Sequence, residues 1–451
     1  MVEAPTYVPD TIYALSSGAG AAGVAMVRIS GPASDELLGA LGVRELPAPR
    51  YAALHNIMSP GTGSRVDQAL VLRFPGPDSF TGEDVVELHV HGGQAVLAAL
   101  FEALEASGLV RLAEPGEFTR RSFENGKLDL TAAEAIGDLV SAQTDAQRIQ
   151  ALQQYDGGLA ELYGRWRSEL INLLGNAEAE IDFSDEELPE ALHEKVVQRI
   201  NTIKQEVVKH SSSTLLGEQI RSGFPISILG APNVGKSSLM NMLARRDVVI
   251  VSEIAGTTRD VVEVQLDLGG YAVTISDTAG IRESNDAIEV EGVRRAEQRA
   301  RDAALKLVVI AADEPVVPDR IRKLIDQNTI LVVNKIDVLD RQPDLLGFPE
   351  AVQTRPVSAQ TGEGIDTLLA GVTALVRERL ASREGVVPTR QRHRLALEDA
   401  VTALDRAASA ALPELAAEDV RLAVRALGRI TGRVDIDDVL DTVFRDFCIG
   451  K

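Results

Sequence analysis

Apolar residues follow two different spacings along this chain. In the first part they form short runs and alternations bounded by Gly, Pro and Asp, which predict strands over residues 11–15, 24–29, 69–74 and 84–91. Between residues 94 and 106 they recur every three or four positions, which predicts one helix. We therefore expect a small α+β domain over residues 1–125.

Residues 18–23 have the spacing G-x-G-x-x-G, which also occurs in dinucleotide-binding loops. Such a loop needs a helix directly after its third glycine. Here a β-rich segment, residues 24–29, follows instead. The segment is therefore predicted to be a turn between two strands.

Helical spacing dominates from residue 130 to about residue 214 and returns after residue 376. The first block predicts one long apolar stripe that serves as core or helix-pairing surface, formed by Ile149, Leu152, Tyr155, Leu159, Leu162, Trp166, Leu170 and Leu173. The acidic residues 182–189 are predicted to form a turn. Because the helical blocks flank a different pattern, we expect one helical domain, 126–222 plus 379–451, with a nucleotide domain, 223–378, inserted into it. The predicted fold class is α/β plus α.

The inserted segment begins with a phosphate-binding loop, residues 230–238, of the form G-x-x-x-x-G-K-S. A predicted strand precedes the loop and a predicted helix follows it, as the motif requires. Lys236 would reach the terminal phosphates, and the Ser237 hydroxyl suits a magnesium ion. The nucleotide contacts predicted from this loop are Asn233, Val234, Gly235, Lys236, Ser237 and Ser238.

Two further motifs follow in the order that a GTPase requires. Residues 255–260, Ala-Gly-Thr-Thr-Arg-Asp, contain a threonine that would complete the magnesium shell and sense the γ-phosphate. A strand over residues 272–276 then runs into the motif Asp277-Thr278-Ala279-Gly280. The Asp277 carboxylate can hold magnesium through water, and the Gly280 N–H can meet the γ-phosphate. Both motifs predict a site that responds to the third phosphate.

The next motif predicts which nucleobase the site recognises. Residues 330–333 form a predicted apolar strand that ends in Asn334-Lys335-Ile336-Asp337. A carboxylate placed like that of Asp337 accepts hydrogen bonds from N1–H and the 2-amino group of guanine, and adenine lacks that pattern. A site built on such bonds rejects the analogue by about 10⁴–10⁵, which indicates GTP rather than ATP. Ser358 and Ala359 are predicted to lie in a loop that closes over the base.

One expected residue is missing from the nucleotide motifs. Small signalling GTPases carry a glutamine directly after the Asp-x-x-Gly motif, where it orients the attacking water. This chain has Ile281 there, and without a replacement hydrolysis would stay near roughly 10⁻⁴ s⁻¹. The nearest polar candidates are Arg282, Glu283, Glu289 and Glu291.

Length, charge and cysteine content narrow the functional classes. The 451 residues suggest about three domains. A net charge of −21 argues against broad electrostatic binding of nucleic acid, so RNA contact would need a local basic patch or a partner protein. Cys448 is the single cysteine, which excludes an internal disulfide and a Cys-cluster metal site. The chain has neither a long apolar run nor a leader pattern, so we expect a cytoplasmic protein without a membrane segment.

Taken together, these stretches resemble the MnmE/TrmE family of bacterial and organellar tRNA modification GTPases. The nucleotide motifs are shared by many GTPases, whereas four other stretches are more specific. These are Phe-Thr-Gly-Glu-Asp at 80–84, His-Gly-Gly at 91–93, Asn-Gly-Lys-Leu-Asp-Leu at 125–130 and Cys-Ile-Gly-Lys at 448–451. The resemblance spans essentially the whole chain.

The resemblance implies a homodimer formed through the N-terminal domain, which would bind a tetrahydrofolate derivative (5-formyl- or 5,10-methylene-tetrahydrofolate). Its contacts would be Arg28, Glu87, Lys127 and Lys451, whose charges suit a pterin and a carboxylated tail. The resemblance also implies a flavin-dependent partner protein in a heterotetramer, and most tRNA contact would come from that partner. Together they would add a carboxymethylaminomethyl or aminomethyl group to carbon 5 of the wobble uridine of certain tRNAs.

The resemblance further implies a potassium ion beside the phosphates. Asn233 would hold it together with Ser252, Ile254 and Thr257. Such an ion would replace the positive charge of an arginine finger, a role worth about 10³–10⁵ in rate. The loop residues implied as nucleotide contacts are Ser252, Glu253, Ile254, Ala255, Gly256, Thr257 and Thr258.

Magnesium and water would be held by other residues of the same site. The resemblance gives Ser237 and Thr258 as magnesium ligands and Glu289 as the residue that orients the water, which fits the gap at Ile281. Lys236 and Asn233 would act in catalysis at the phosphates. Cys448 is the near-terminal cysteine of the family, and its residue type suits a chemical role or a small buried apolar side chain equally.

A ribosome-assembly GTPase that acts as an RNA-binding switch is the alternative function. Such proteins often carry an RNA-binding module with a G-x-x-G loop. The residues after 376 are instead predicted to be helical and end in Cys-Ile-Gly-Lys. A scaffold with a vestigial nucleotide site is a third option, which the intact nucleotide motifs disfavour.

Overall fold

The chain forms two compact units of mixed α/β and helical structure. One unit comprises residues within 1–137, 160–168 and 424–451, and the other comprises residues within 138–159 and 169–423. The computed structural model describes residues 10–18, 20–182, 190–245, 250, 263–277, 297–339, 353–380, 385–434, 440, 443–444, 447 and 449–450.

The described part of the first unit contains a mixed sheet. Its strands are β1 (Thr11–Leu15), β2 (Ala22–Ser30), β3 (Ala53–Met58), β4 (Arg65–Phe74), β5 (Val85–Gly92) and β6 (Val110–Leu112). The order is β3-β4-β5-β2-β1-β6, and within it β1 and β6 pair in parallel while the other neighbours are antiparallel. The glycine-rich residues 18–23 lead into β2 rather than a helix, which confirms the predicted turn.

Four helices accompany this sheet along the described chain: α1 (Ser34–Ala40), α2 (Gln94–Ala106), α3 (Glu117–Glu124) and α4 (Leu130–Ser141). Helix α2 has the predicted bounds, and its Leu100 and Leu104 pack with Val27, Val71 and Leu88 of the sheet. The apolar spacing did not predict α1, α3, β3 or β6. They are short, and β3 alternates between exposed and partly buried residues, so their apolar pattern is weak.

The next helices are α5 (Asp145–Tyr155), α6 (Gly158–Asp182), α7 (Glu190–Ser211) and α8 (Thr214–Ser222). The predicted continuous stripe across α5 and α6 is therefore wrong. Gly157 adopts a left-handed conformation (φ 89°) between the two helices, which ends α5. As a result Ile149 and Tyr155 are each 42% exposed, whereas Leu159, Trp166 and Leu170 are buried. The predicted turn at 182–189 lies almost wholly outside the described residues.

The second sheet belongs to the second unit and is mostly parallel. Its described strands are β7 (Phe224–Gly230), β8 (Glu263–Leu268), β9 (Tyr271–Asp277), β10 (Leu305–Ala311), β11 (Thr329–Asn334) and β12 (Gln353–Pro356). The order is β12-β11-β10-β7-β9-β8, in which β8 alone runs antiparallel to its neighbour. Every residue of β10 and β11 is buried, as expected for strands covered on both faces. Ligands of such sheets bind beyond the carboxyl ends of the strands.

Helices surround this sheet and continue the chain after it. They are α9 (Lys236–Ala244), α10 (Asp319–Arg322), α11 (Ile365–Leu380), α12 (Gln391–Ser409) and α13 (Pro413–Thr431). Helix α7 precedes the strands of the second sheet along the chain, and helix α12 follows them. The two helices nevertheless pack against each other, with an ion pair of 2.7 Å between Lys204 and Asp405. Among the described helices, none combines the length and apolar character needed to cross a bilayer.

Candidate active site

The phosphate-binding loop connects the carboxyl end of β7 to the amino end of α9. Asn233 and Gly235 both have positive φ, 63° and 95°, a conformation that helps successive N–H groups form an anion-binding concavity. A side chain at position 235 is sterically excluded, because a Cβ there would lie 2.1 Å from Nδ2 of Asn334. The loop is thus shaped for phosphate by the backbone itself, next to the positive end of a helix dipole.

Side chains complete the loop. The Lys236 ammonium donates to the carbonyls of Gly230 at 3.0 Å and Ala231 at 2.9 Å, so it lies over the loop. Ser237 and Ser238 are exposed in the first turn of α9, and Val234 is buried beneath the loop. The predicted phosphate-loop residues are therefore brought together, and they include a hydroxyl of the kind that a hard cation such as Mg²⁺ binds.

Asn334 connects the phosphate loop to the segment that follows β12. It is the last residue of β11 and is 2% exposed. Its Nδ2 donates to the Val234 carbonyl at 2.8 Å, and its Oδ1 accepts from the Ala359 N–H at 2.9 Å. Both ends of a buried amide are satisfied in this way. The sequence predicted Asn334 as a nucleotide contact, and the structure adds this bridging role.

The predicted base-recognition residues lie in the loops on either side of the Asn334 contact. Asp337 is exposed in a single 3₁₀ turn, Ile336–Val338, that follows Lys335 with φ 65°. The turn is anchored where the Ile336 N–H donates to the Val357 carbonyl at 3.3 Å. Ser358 is fully buried, and its hydroxyl accepts from the Thr361 N–H at 3.1 Å. An exposed carboxylate is thus mounted on a rigid loop, as recognition of a base edge requires.

Asp277 is the last residue of β9, and its Cα is paired with that of Ile228 in β7. The backbone of the Asp-x-x-Gly motif therefore starts beside the strand that leads into the phosphate loop. The remaining predicted residues of this site lie outside the described residues: 252–258, 278–280 and Glu289. Their roles stay predictions.

A second group of predicted residues lies in the first sheet. Arg28 of β2 stands directly opposite Glu87 of β5, and its Nε and Nη2 donate to Glu87 Oε1 at 3.2 and 3.1 Å. The guanidinium also lies 5.3 Å from the ring centre of Phe80 and 5.9 Å from that of Phe118, within cation–π range. Phe118 was not among the predicted residues, because only the fold brings α3 to β2. This arrangement offers charge and flat apolar surface to a conjugated ring.

Lys127 is tied to the loop that carries Phe80. Its Nζ donates to the Pro77 carbonyl at 2.9 Å, and a Cβ added at Gly82 would lie 3.4 Å from its Cγ. The neighbouring Asn125 donates from Nδ2 to the Thr81 carbonyl at 2.8 Å. Residues 80–84 and 125–130, two of the four stretches singled out in the sequence, therefore meet.

A network of ion pairs holds the loop of residues 80–84 in place. Arg121 is 2% exposed and contacts Glu83 at 3.2 Å and Glu117 at 2.8 Å. Burial alone would raise the pKa of Glu117, but hydrogen bonds from Arg111, from the Glu114 N–H and from Arg121 outweigh it, so the pKa is lowered and the carboxylate stays ionised. The sequence could not predict this network, since charged residues at such spacings normally lie in water.

The C-terminal tail docks on the first sheet. Ile449 forms an isolated bridge with Pro115, and the Ser16 hydroxyl donates to the Gly450 carbonyl at 2.7 Å. Gly450 has φ 101°, and a Cβ there would lie 2.1 Å from the carbonyl oxygen of Leu15. Leu15 pairs with Val27, the neighbour of Arg28. Cys448 and Lys451 lie outside the described residues but flank this anchored pair in sequence.

Comparison with known proteins identifies relatives over almost the full length. Residues 11–127 match the family described as the GTP-binding protein TrmE N-terminus, and residues 130–448 match the MnmE helical domain. The tRNA modification GTPase MnmE of Parvibaculum lavamentivorans is 50% identical over 447 residues, which cover 98% of this chain and 100% of the relative. The protein of the same name from Paramagnetospirillum magneticum is 51% identical over 446 residues, with 98% and 100% covered.

Asp337→Asn should exchange the preferred base. An amide presents a donor where guanine also donates, so GTP affinity should fall by a factor on the order of 10⁴, and xanthosine triphosphate, which offers an acceptor there, should bind better. Both dissociation constants are measured by titration of the purified chain. Exposed Asp313→Asn, in the loop after β10, is the matched control and should change neither. Undiminished GTP affinity in Asp337→Asn would contradict base recognition by this carboxylate.

Proposed function

The chain belongs to the MnmE family of tRNA modification GTPases, and we propose that it hydrolyses GTP in a potassium-dependent manner to drive modification of tRNA. Together with a flavin-dependent partner protein, it adds a carboxymethylaminomethyl or aminomethyl group to carbon 5 of the wobble uridine of certain tRNAs. The contact between Asn334, Val234 and Ala359 is the observation that carries the proposal, because it joins a phosphate loop to a guanine-type base loop.

The hydrolytic step needs a cradle, a cation and an oriented water. The γ-phosphoryl group passes from the β–γ bridging oxygen of GTP to a water oxygen, and GDP and phosphate leave. The backbone of the phosphate loop and Lys236 hold the phosphates in line and offset the charge that builds on the leaving oxygen. Glu289 orients the water and accepts its proton, since Ile281 cannot.

Two cations complete the charge stabilisation at the phosphates. Ser237 and Thr258 would bind magnesium and Asp277 would hold it through water, and the bound ion would neutralise the phosphate oxygens. Asn233 is exposed at the rim of the loop, where its side chain suits a monovalent ion. The other ligands of that potassium ion are Ser252, Ile254 and Thr257.

The first sheet holds the one-carbon donor in this proposal. Arg28, Glu87 and Lys127 bind a tetrahydrofolate derivative, and Lys451 completes the site through the docked tail. The ion pair of Arg28 and Glu87 beside Phe80 supports this assignment, because it combines hydrogen-bonding charge with an aromatic face. Cys448 lies one residue before the anchored Ile449, so a chemical role near the folate is open to it.

The chain organisation in this proposal has four segments. Residues 1–125 bind folate and form the homodimer, residues 126–222 and 379–451 build the helical domain, and residues 223–378 are the inserted nucleotide domain. The packing of α7 on α12 supports the insertion, since these helices precede and follow the second sheet. The flavin-dependent partner forms a heterotetramer with the dimer in the cytoplasm and supplies most of the tRNA contact.

The rival, a ribosome-assembly GTPase, has less support. Where such proteins often carry an RNA-binding module, the described residues 385–434 form the helices α12 and α13 with their connections. The relatives that cover the full chain carry the name of a tRNA modification GTPase.

Deletion of the gene should remove the modification. Nucleoside analysis by mass spectrometry of tRNA from the deletion strain should show wobble uridines without the carbon 5 group, because the GTPase coupled to the modification has been removed. A plasmid copy of the gene should restore them, and a copy with Lys236→Ala should not. Normal uridines in the deletion strain would overturn the proposed function and leave the GTPase assignment untouched.

Exchange of potassium for sodium should slow GTP hydrolysis by the purified chain at least about tenfold, and by up to the order of 10³ if the ion takes the whole part of an arginine finger. The sodium ion is too small to fill the same ligand set without strain. Turnover is measured by phosphate release at constant ionic strength, and Asn233→Ala should remove the difference. Equal rates in both salts would exclude the potassium site.

A further inference from the structure

Helix α5 contacts the second sheet through its first turn. The N–H groups at the start of a helix have no partner within the helix. That of Ala146 donates to the carbonyl of Gly270 at 3.0 Å, in the turn between β8 and β9. Gly269 and Gly270 both have positive φ, 66° and 91°, as a tight two-residue hairpin turn requires. The turn of the second sheet thus caps α5.

Three glutamines of α5 hold the segments that lead into and out of the second sheet. Gln147, Gln150 and Gln154 are three and four positions apart, so they share one face of the helix. Gln147 Nε2 donates to the Arg221 carbonyl at 2.9 Å, and Gln150 Nε2 donates to the Gly217 carbonyl at 3.3 Å, both in α8. Gln154 Oε1 accepts from the Thr389 hydroxyl at 3.0 Å, between α11 and α12.

One carboxylate joins the same two segments. Oδ1 of Asp138, near the end of α4, accepts from Arg221 Nε at 2.8 Å and from Arg390 Nη2 at 2.8 Å. The Asp138 and Arg390 side chains are 13% and 18% exposed, so water screens this contact only in part. Arg221 lies in the last turn of α8, which leads into β7, and Arg390 lies directly before α12. A single oxygen atom therefore fixes both chain connections of the second sheet.

These contacts surround a cavity of about 130 Å³. The polar residues in its walls include Asp138, Ser141, Gln150, Gln154, Arg221 and Thr389. That volume has room for several water molecules, and the polar groups in the walls offer hydrogen-bond partners for them. Directional hydrogen bonds around a hydrated space can exchange between discrete pairings, whereas a close-packed apolar contact cannot shift without opening voids.

The strands that α5 holds end at the nucleotide residues. Helix α8 leads through Gly223 into β7, whose other end is the phosphate loop, and the Gly270 turn leads into β9, whose other end is Asp277. Each strand has seven residues, or about 23 Å at about 3.3 Å per residue. The two strands pair in parallel. A movement of the phosphate loop or of Asp277 is therefore transmitted along β7 or β9 to helix α5.

We infer that α5, with Asp138, is the joint through which the nucleotide state acts on the helical part of the chain. We call the group Asp138, Gln147, Gln150, Gln154, Arg221 and Arg390 the α5 joint. Asp138 is a positioning residue in it, because it sets the register of both connections without touching the nucleotide. This inference rests on the proposed function in one respect, namely that hydrolysis drives tRNA modification.

Asp138→Asn tests the joint, because it removes the charge that keeps two guanidinium groups together. GTP turnover of the purified full-length chain should stay within about twofold. The rate of wobble-uridine modification, measured in an extract of the deletion strain supplemented with purified chain, should fall at least about fivefold, the lower range of allosteric couplings. Asp138→Glu should recover most of that rate, since it restores the carboxylate.

Two further variants separate coupling from stability. Asp405→Asn breaks an ion pair between α7 and α12 in the same unit and should alter neither rate. Arg390→Gln removes one arm of the joint and should reproduce the split seen for Asp138→Asn. All rates are compared at a temperature where thermal melting shows every variant folded.

The outcomes are distinct. Equal falls in turnover and modification, or an unchanged modification rate in both Asp138→Asn and Arg390→Gln, would overturn the inference. An extract that the unaltered chain cannot restore would instead contradict the proposed function.

Discussion

The buried amide of Asn334 is the contact on which the nucleotide site depends. It lies at the end of the fully buried strand β11 and bonds the phosphate loop on one side and the base loop on the other. Because an unsatisfied buried amide is costly, both loops are held where Asn334 requires them. Gly235 is needed for the same reason, since any side chain there would collide with this amide. The two halves of the site are thereby assembled as one.

The second sheet also connects the nucleotide site to helix α5. Its strands carry nucleotide residues at their carboxyl ends and meet α5 at their amino ends, so the parts where nucleotide acts and where helices respond are separated by one strand length. In the first unit, the C-terminal tail docks on the first sheet. Gly450 brings the end of the chain to the strand beside Arg28, and residues far apart in sequence thus contribute to one surface.

Local patterns predicted much of this architecture. The bounds of α2 and the strand–loop–helix context of the phosphate loop follow from apolar spacing and glycine placement, which act over a few residues. The break at Gly157 was missed because helical spacing continues across it, and only the left-handed backbone there separates α5 from α6. Phe118 beside Arg28 and the shared oxygen of Asp138 could not be predicted, since each contact joins segments that only the fold brings together.

We propose that nucleotide bound at this one site drives tRNA modification, and a variant with an exchanged base preference gives the sharpest test. The chain with Asp337→Asn is added to an extract of the deletion strain, and formation of modified wobble uridine is measured with added xanthosine triphosphate and without it. We expect the variant to support modification only when that nucleotide is present, and the unaltered chain to show no dependence on it. If the variant supports modification equally well without xanthosine triphosphate, nucleotide bound at this site does not drive the modification.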